Sequence, residues 1–239
     1  MKRRRLGQHY LKDPGVVQRM VSLAGISPSD RVLEIGTGKG VLTRELAGLG
    51  GRFDGYEVDE ENFAETAEAV RGSGARLHLA DPFGLRPEFD VLVSSLPYSE
   101  SSRFVSWLSG TPFRRAVVIL QDDFAKKILA PPGARDYRGI SALAQLAFDA
   151  KIVERVKREC FTPQPRVNSV IVQLSPRLRV SKAEATNIAR LFSLRRRRVD
   201  AALRELGMEW GEEGGSRRVN TLTPSEVHEI CRLRAPQGL

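Results

Sequence analysis

Three stretches of the chain carry residues whose types and spacing suit chemistry. Val32-Leu33-Glu34-Ile35-Gly36-Thr37-Gly38-Lys39-Gly40 runs from an aliphatic, β-branched segment into alternating glycines. A strand that turns into a helix there needs glycine for positive φ and for close backbone approach to a ligand. It is not a phosphate-binding loop, which requires Gly-Lys followed by Ser or Thr; here Gly40 follows Lys39. It also departs from Gly-x-Gly-x-x-Gly, because the third position falls on Val41. Two carboxylates stand at the ends of the next two strands. Glu57, in Gly55-Tyr56-Glu57-Val58-Asp59, is placed to accept both hydroxyls of a ribose. Asp81, in Leu79-Ala80-Asp81-Pro82-Phe83, is placed to accept a hydrogen bond from an adenine amino group. Asp81 alone also reads as a helix N-cap, but three successive strand ends bearing such groups do not. Val93-Ser94-Ser95-Leu96-Pro97-Tyr98 then closes a fourth strand with a small polar residue, an apolar residue, a proline and an aromatic. Pro97 stiffens that turn and removes a competing N–H donor. Tyr98 offers a face for a base, an interaction worth about 1–3 kcal/mol.

The elements that must position these groups can be read from hydrophobic period and turn residues. Strands are expected over 31–35, 52–58, 75–79, 89–94, 116–120, 152–158 and 167–174, and helices over 16–24, 41–49, 60–70, 121–129 and 140–148. Strands alternating with helices imply a parallel sheet with helices on both faces, and the last two strands, joined by a short link, imply an antiparallel edge. Past Pro176 the pattern is purely helical: 182–192, 199–206 and 224–233. The expected fold class is therefore α/β, with a seven-strand doubly wound sheet over 1–176 and a small helical domain over 177–239.

The G-x-G-x-G turn after Glu34-Ile35 resembles the S-adenosylmethionine site of Rossmann-like methyltransferases. Ser95-Leu96-Pro97-Tyr98 resembles the Asp/Asn/Ser–Pro–Pro–Tyr/Phe motif of methyltransferases that modify exocyclic amines. An aromatic amine's lone pair is delocalised into its ring. Two acceptors, Ser95 Oγ and the carbonyl of Leu96 or Pro97, would rehybridise that nitrogen and aim its lone pair at a methyl group. Leu6-Gly7-Gln8-His9-Tyr10-Leu11, the glycine turn, Ser95–Tyr98 and Phe161-Thr162-Pro163-Gln164-Pro165-Arg166-Val167-Asn168-Ser169 occur in the order seen in ribosomal RNA adenine N6-dimethyltransferases. Leu120-Gln121, Asp136-Tyr137, Phe192–Val199 and Asn220-Thr221-Leu222-Thr223-Pro224 extend the resemblance over nearly the whole chain.

That resemblance implies S-adenosylmethionine as cofactor. Gln8, His9 and Leu11 would lie beside it, Gly36 and Gly38 at its methionine part, Glu57 at the ribose, and Asp81 at the adenine, with Ser95 facing both it and the target. Ser95, Leu96, Pro97 and Tyr98 would hold the target amine, and Phe161 would clamp the opposite face of a flipped adenine. No metal is implied. Three departures stand out: the family usually has Asn at Ser95, its Phe-x-Pro-Pro-Pro reads Phe161-Thr162-Pro163-Gln164-Pro165 here, and the C-terminal domain is on the short side. The implied activity is dimethylation of adenine N6, most simply at two adjacent adenosines in the 3′-terminal hairpin of small-subunit rRNA, with that RNA or the assembling small ribosomal subunit as partner. Two rivals keep the fold: a methylase of large-subunit RNA, and a non-catalytic RNA-binding assembly or transcription factor.

The charge agrees with a polyanionic partner. The chain has 239 residues and a formal net charge of +9. Residues 1–12 carry +5, residues 13–150 carry −4, and residues 151–239 carry +8. A slightly acidic body thus lies between basic ends that suit a phosphate backbone. Arg195, Arg196, Arg197 and Arg198 are the densest cationic run and the expected RNA contact, with Lys2–Arg5 a weaker candidate. The longest aliphatic run, Ala116–Leu120, is far too short for a bilayer, and no apolar stretch follows the basic N-terminus as in a secretory signal. His9, His78 and His228 are too scattered for a metal site, and Cys160 and Cys231 cannot make a disulfide framework. A cytoplasmic monomer without membrane attachment is the expectation.

Overall fold

The computed structural model describes residues 8–208, 210 and 215–232. The basic tail Lys2–Arg5 lies outside them. The chain divides into two compact units. The first comprises residues 1–104, 111–125 and 150–176; the second comprises 105–110, 126–149 and 177–239. The sequence expectation placed one boundary at 177. The chain does change units there, but the helical unit also takes in 105–110 and 126–149, segments without a polar linker on either side to mark them.

The first unit is built on a seven-stranded sheet. Its strands, in chain order, are β2 (Arg31–Ile35), β3 (Arg52–Glu57), β4 (Arg76–Leu79), β5 (Val91–Ser94), β6 (Arg115–Gln121), β7 (Phe148–Val156) and β9 (Ser169–Pro176). They lie in the order β4-β3-β2-β5-β6-β9-β7. β2 to β6 pair in parallel, and β9 runs antiparallel to β6, with Ile119 opposite Ile171. Strands buried on both faces read as continuous aliphatic runs, which is why Val91-Leu92-Val93 and Val117-Val118-Ile119-Leu120 are fully buried. The order reverses between β2 and β5, and a doubly wound sheet opens a crevice at such a switch, beyond the carboxyl ends of its strands.

Helix α1 (Pro14–Ala24) begins two residues earlier than its hydrophobic period indicates. Asp13 caps it, accepting the Val16 N–H at 3.0 Å, and Pro14 occupies the first turn. Gly25 ends it with φ +54°. The helix packs Val17, Met20 and Ala24 into the apolar core with Val93, Val117 and Ile119. Helix α2 (Val41–Leu46) succeeds the glycine turn, and α3 (Glu60–Ala69) starts at the Asp59 cap and lies on β3 and β4.

Three elements escape the sequence pattern. Helix α4 (Ser101–Ser109) is serine-rich with aromatic residues, a weak helix former, yet it buries Phe104, Val105 and Leu108 completely. The two-residue strands β1 (Tyr10–Leu11) and β8 (Phe161–Thr162) pair antiparallel, with Leu11 opposite Phe161, across about 150 residues of sequence.

In the second unit α6 (Gly139–Ala147), α7 (Lys182–Ser193), α8 (Val199–Leu206) and α9 (Pro224–Arg232) share a core of Ile188, Leu191, Phe192, Val199, Val227 and Ile230. Gly139 lets α6 approach α7 closely, since a Cβ there would stand 3.1 Å from Phe192 Cβ. Buried Tyr137 meets Phe192 edge-on and donates its hydroxyl to the Leu222 carbonyl at 3.0 Å. Short α5 (Asp122–Ile128) comes directly after β6 in the chain. Among the described residues no helix is long and apolar enough to cross a membrane.

Candidate active site

A cavity of about 410 Å³ opens at the carboxyl ends of β2, β3, β4 and β5. All eight residues expected around the cofactor line it: Gln8, His9, Leu11, Gly36, Gly38, Glu57, Asp81 and Ser95. Leu96 and Pro97 line it as well. The parallel register brings Gly36, Gly38, Glu57, Asp81 and Ser95 to Pro97 together, because each stands at or just past the end of its strand, while Gln8, His9 and Leu11 come from the N-terminal segment that pairs with β8.

The glycine turn forms the floor. Gly36, Gly38 and Gly40 have φ of +75°, +55° and +71°, a region that L side chains rarely adopt. The Gly36 N–H donates to the Tyr56 carbonyl at 2.7 Å, tying the turn to the end of β3. A Cβ on Gly38 would meet Tyr10 Cδ1 at 3.1 Å. That tyrosine is held in turn: its hydroxyl donates to Gln8 Oε1 at 3.0 Å and accepts from Asn62 Nδ2 at 3.2 Å. The N-terminal segment therefore packs directly on the glycine turn.

Glu57 is 5% exposed and accepts three backbone N–H groups: Gly38 on Oε2 at 2.9 Å, and Val58 and Asp59 on Oε1 at 2.8 and 2.9 Å. A carboxylate offers about four lone-pair sites, so one remains on Oε2 for a hydroxyl. Beside it lies Glu34, which sequence reasoning passed over as part of a strand. Glu34 is 1% exposed, and its Oε2 has no hydrogen-bond partner among the described residues. Burial raises its carboxyl well above the ordinary value, an effect that Thr43 partly offsets and the Glu57 charge reinforces. Thr37 Oγ1 is likewise buried and unpartnered among the described residues. Orphaned polar atoms in such a cavity call for a polar ligand. Two at the glycine turn, an open ribose-type acceptor at Glu57 and Asp81 beyond fit the amino-acid, ribose and base parts of S-adenosylmethionine.

At the mouth the two serines of the β5 end differ. Ser94 Oγ donates to the Ile35 carbonyl at 2.5 Å and locks β5 to β2. Ser95 lines the cavity, and its hydroxyl has no partner among the described residues. Tyr98 shares a 2.5 Å hydrogen bond with Ser169 Oγ, and burial raises its phenol above the ordinary value despite that bond. The His9 ring lies 5.5 Å from the Tyr98 ring, and its Nδ1–H donates to the Pro163 carbonyl at 2.6 Å. Phe161, expected to clamp a base, lies elsewhere. Its pairing with Leu11 draws it into the apolar core at 2% exposure, and neither it nor Tyr98 lines the cavity. The strand pairing that buries it spans too much sequence for a local pattern to reveal.

The helical unit holds a second cavity, of about 310 Å³, lined by Arg135, Arg138, Arg195, Arg196, Arg218 and Asn220. Backbone bonds gather them: Gly133 N–H to the Asn220 carbonyl at 2.7 Å, and Asn220 N–H to the Arg195 carbonyl at 3.0 Å. Among the described residues these five arginines pair with no carboxylate, and Asn220 Oδ1 has no partner. The arginine run is thus divided. Arg197 pairs with Glu205 at 2.6 Å and Arg198 with Asp200 at 3.2 Å, while Arg195 and Arg196 face the cavity. Arg135, Arg138 and Arg218 carried no sequence signal beyond their type.

Comparison with known proteins agrees with this geometry. The ribosomal RNA adenine dimethylase family matches residues 1–226. A probable ribosomal RNA small subunit methyltransferase A of Thermococcus gammatolerans is 34% identical, over 99% of this chain and 90% of that protein. A ribosomal RNA small subunit methyltransferase A of Thermotoga petrophila is 32% identical, over 95% of this chain and 90% of its own. A dimethyladenosine transferase from Plasmodium falciparum superposes with a TM-score of 0.79 at 25% identity, over 92% of this chain and 94% of that one. The 23S rRNA methyltransferase ErmE superposes at 0.63 with 26% identity, over 94% and 100%.

Proposed function

The chain belongs to the ribosomal RNA adenine dimethylase family, and we propose that it uses S-adenosylmethionine to dimethylate adenine N6 in small-subunit ribosomal RNA, at two adjacent adenosines of the 3′-terminal hairpin. The observation that carries this is the convergence of Gln8, His9, Leu11, Gly36, Gly38, Glu57, Asp81 and Ser95 on one cavity, with the Ser95 hydroxyl unpartnered among the described residues. When bound, the cofactor supplies an electrophilic methyl group on a sulfonium. Ser95 Oγ accepts one N–H of the target amine and the carbonyl of Leu96 or Pro97 accepts the other, so the lone pair points into the cavity. Gly36, Gly38, Glu57 and Asp81 would hold the cofactor with its methyl group available to that lone pair, and the proton the amine gives up would pass to solvent. Positioning and exclusion of water supply the rate. Glu34 and Glu57 hold the cofactor, and Tyr98, tethered to Ser169, stacks with the flipped base.

The arginine cavity of the helical unit serves docking, since five guanidinium groups that pair with no carboxylate among the described residues suit a phosphodiester backbone. The names of the relatives favour the small subunit. We place the protein in the cytoplasm as a monomer that acts on the assembling subunit. The test supplies labelled methyl donor with small subunits lacking the modification and maps the product. Label on adenine N6 of small-subunit RNA is expected. Its absence from adenine N6 refutes methyl transfer, and label in large-subunit RNA alone transfers the substrate to that rival.

A further inference from the structure

Asp81, the acceptor assigned to the cofactor's base, is not alone at its end of the cavity. Arg103, in the first turn of α4, donates from Nη2 to Asp81 Oδ2 at 2.6 Å and reaches Glu100 Oε2 at 3.4 Å from Nη1. Its guanidinium carbon stands 4.7 Å from the centre of the Phe83 ring. The Phe83 N–H donates to the other Asp81 oxygen at 3.0 Å. Asp81, Phe83, Glu100 and Arg103 all line the cavity.

As a stabilising ion pair this contact is weak. The two side chains are 52% and 41% exposed, and pairs of that kind contribute little to folding. Its geometry is informative for another reason. A half-exposed carboxylate left to itself rotates freely and accepts from any direction. Here one oxygen is fixed by a backbone N–H and the other by a planar cation that also rests on an aromatic face. Each oxygen keeps a further lone pair, the pair of oxygens is held in one plane, and a carboxylate only accepts hydrogen bonds. Such a wall takes an exocyclic amine and rejects a carbonyl oxygen at the same position. Arg103 also sits five residues beyond Tyr98, so it ties the base wall to the helix that succeeds the target-binding turn.

We propose that Arg103 is a positioning residue that sets the specificity of the cofactor pocket for a 6-amino purine over a 6-oxo purine, by holding the Asp81 carboxylate and the Phe83 ring as one wall. This rests on the cofactor reading above. The test measures dissociation constants by calorimetry for S-adenosylhomocysteine, 5′-methylthioadenosine and their deaminated inosine counterparts, with wild type, Arg103→Ala and Arg103→Lys. Wild type is expected to prefer the amino forms by roughly tenfold or more, as loss of a hydrogen bond to a charged group implies. Arg103→Ala is expected to lose most of that preference and to weaken both adenosine ligands by a similar factor. Arg103→Lys, which keeps charge but not the fork, is expected to fall between and serves as the folded control should Arg103→Ala melt early. Unchanged preference in both variants overturns the assignment, as does weakening confined to S-adenosylhomocysteine, which would locate the effect at the amino-acid end. A wild type that binds neither adenosine ligand instead overturns the cofactor reading, and the assignment with it.

Discussion

Replacing Ser95 with alanine removes a side-chain acceptor at the end of β5 without disturbing what holds the turn. Ser94, not Ser95, ties β5 to the Ile35 carbonyl, so the turn retains its anchor. In the ground state Ser95 accepts a hydrogen bond from a neutral amine, worth a net of about 0.5–1.5 kcal/mol. As the carbon–nitrogen bond forms, the nitrogen gains positive charge, and the same bond strengthens to about 1.5–3 kcal/mol. Only the difference, roughly 1–2 kcal/mol, accelerates the reaction, which corresponds to a fall in kcat of about 5- to 30-fold. Cofactor affinity should change little, because the glycine turn, Glu57 and Asp81 are untouched. The assay is single-turnover methyl transfer to undermethylated small subunits at saturating cofactor, beside calorimetry with the cofactor alone. A kcat within about twofold of wild type would remove Ser95 from the transition state, and an equal loss in cofactor affinity would reassign it to cofactor binding. Ser95→Asn, which keeps an acceptor on a longer side chain, should retain most of the rate.

Three further outcomes rest on particular residues. Replacing Arg195 and Arg196 by alanine should weaken RNA binding and reduce the slope of log affinity against log salt by about 1.4–1.8, the contribution of two phosphate contacts. The same change at Arg197 and Arg198, which pair with Glu205 and Asp200, should have a smaller effect. Gly38→Ala places a side chain at φ +55° and against Tyr10, so it should cost about 1–2 kcal/mol and lower Tm by about 2–8 °C, with cofactor binding lost, as calorimetry would register. Glu34 has a folded pKa well above its ordinary 4.5, so the stability it allows is fully present below pH 4.5 and is lost as pH rises through the folded value. Urea unfolding of Glu34→Gln should therefore match wild type at low pH and exceed it at pH 8; an equal offset at both would rule out this titration.

Most of the catalytic unit was legible because its signals are local. A parallel strand buried on both faces is a short aliphatic run, and the residue at its carboxyl end is the functional group, so reading Gly36, Glu57, Asp81 and Ser95 off four strand ends amounts to reading the cavity. The illegible part depends on contacts distant in sequence. β1 and β8 are two residues each, too short for a period, yet their pairing decides that Phe161 is core rather than clamp. Arg103 looks like any surface arginine until α4 sets it beside Asp81, and Glu34 looks like one more strand residue until the sheet buries it without a partner for Oε2 among the described residues. The assignment of 126–149 to the helical unit has the same origin: α6 carries an apolar face that would suit either unit, and its packing on α7 and α9 decides.

Charge shows the same division between what a sequence counts and what a surface presents. Four consecutive arginines look like one cationic patch, but a guanidinium held by a neighbouring carboxylate has little left to offer a phosphate. Arg197 and Arg198 are engaged in this way, and Arg217 pairs with Glu226. The guanidinium groups that pair with no carboxylate among the described residues are those of Arg195, Arg196 and Arg218 together with Arg135 and Arg138, which the Gly133–Asn220 and Tyr137–Leu222 hydrogen bonds bring to the same cavity. A formal charge of +8 over residues 151–239 therefore overstates some positions and omits two others that precede that segment. Shortening the loop at 130–138 should accordingly impair RNA binding as much as loss of two arginines from the run, although that loop belongs to a stretch whose net charge is negative. A filter-binding salt series on the loop variant measures this directly, and an unaltered slope would return the RNA contact to the arginine run alone.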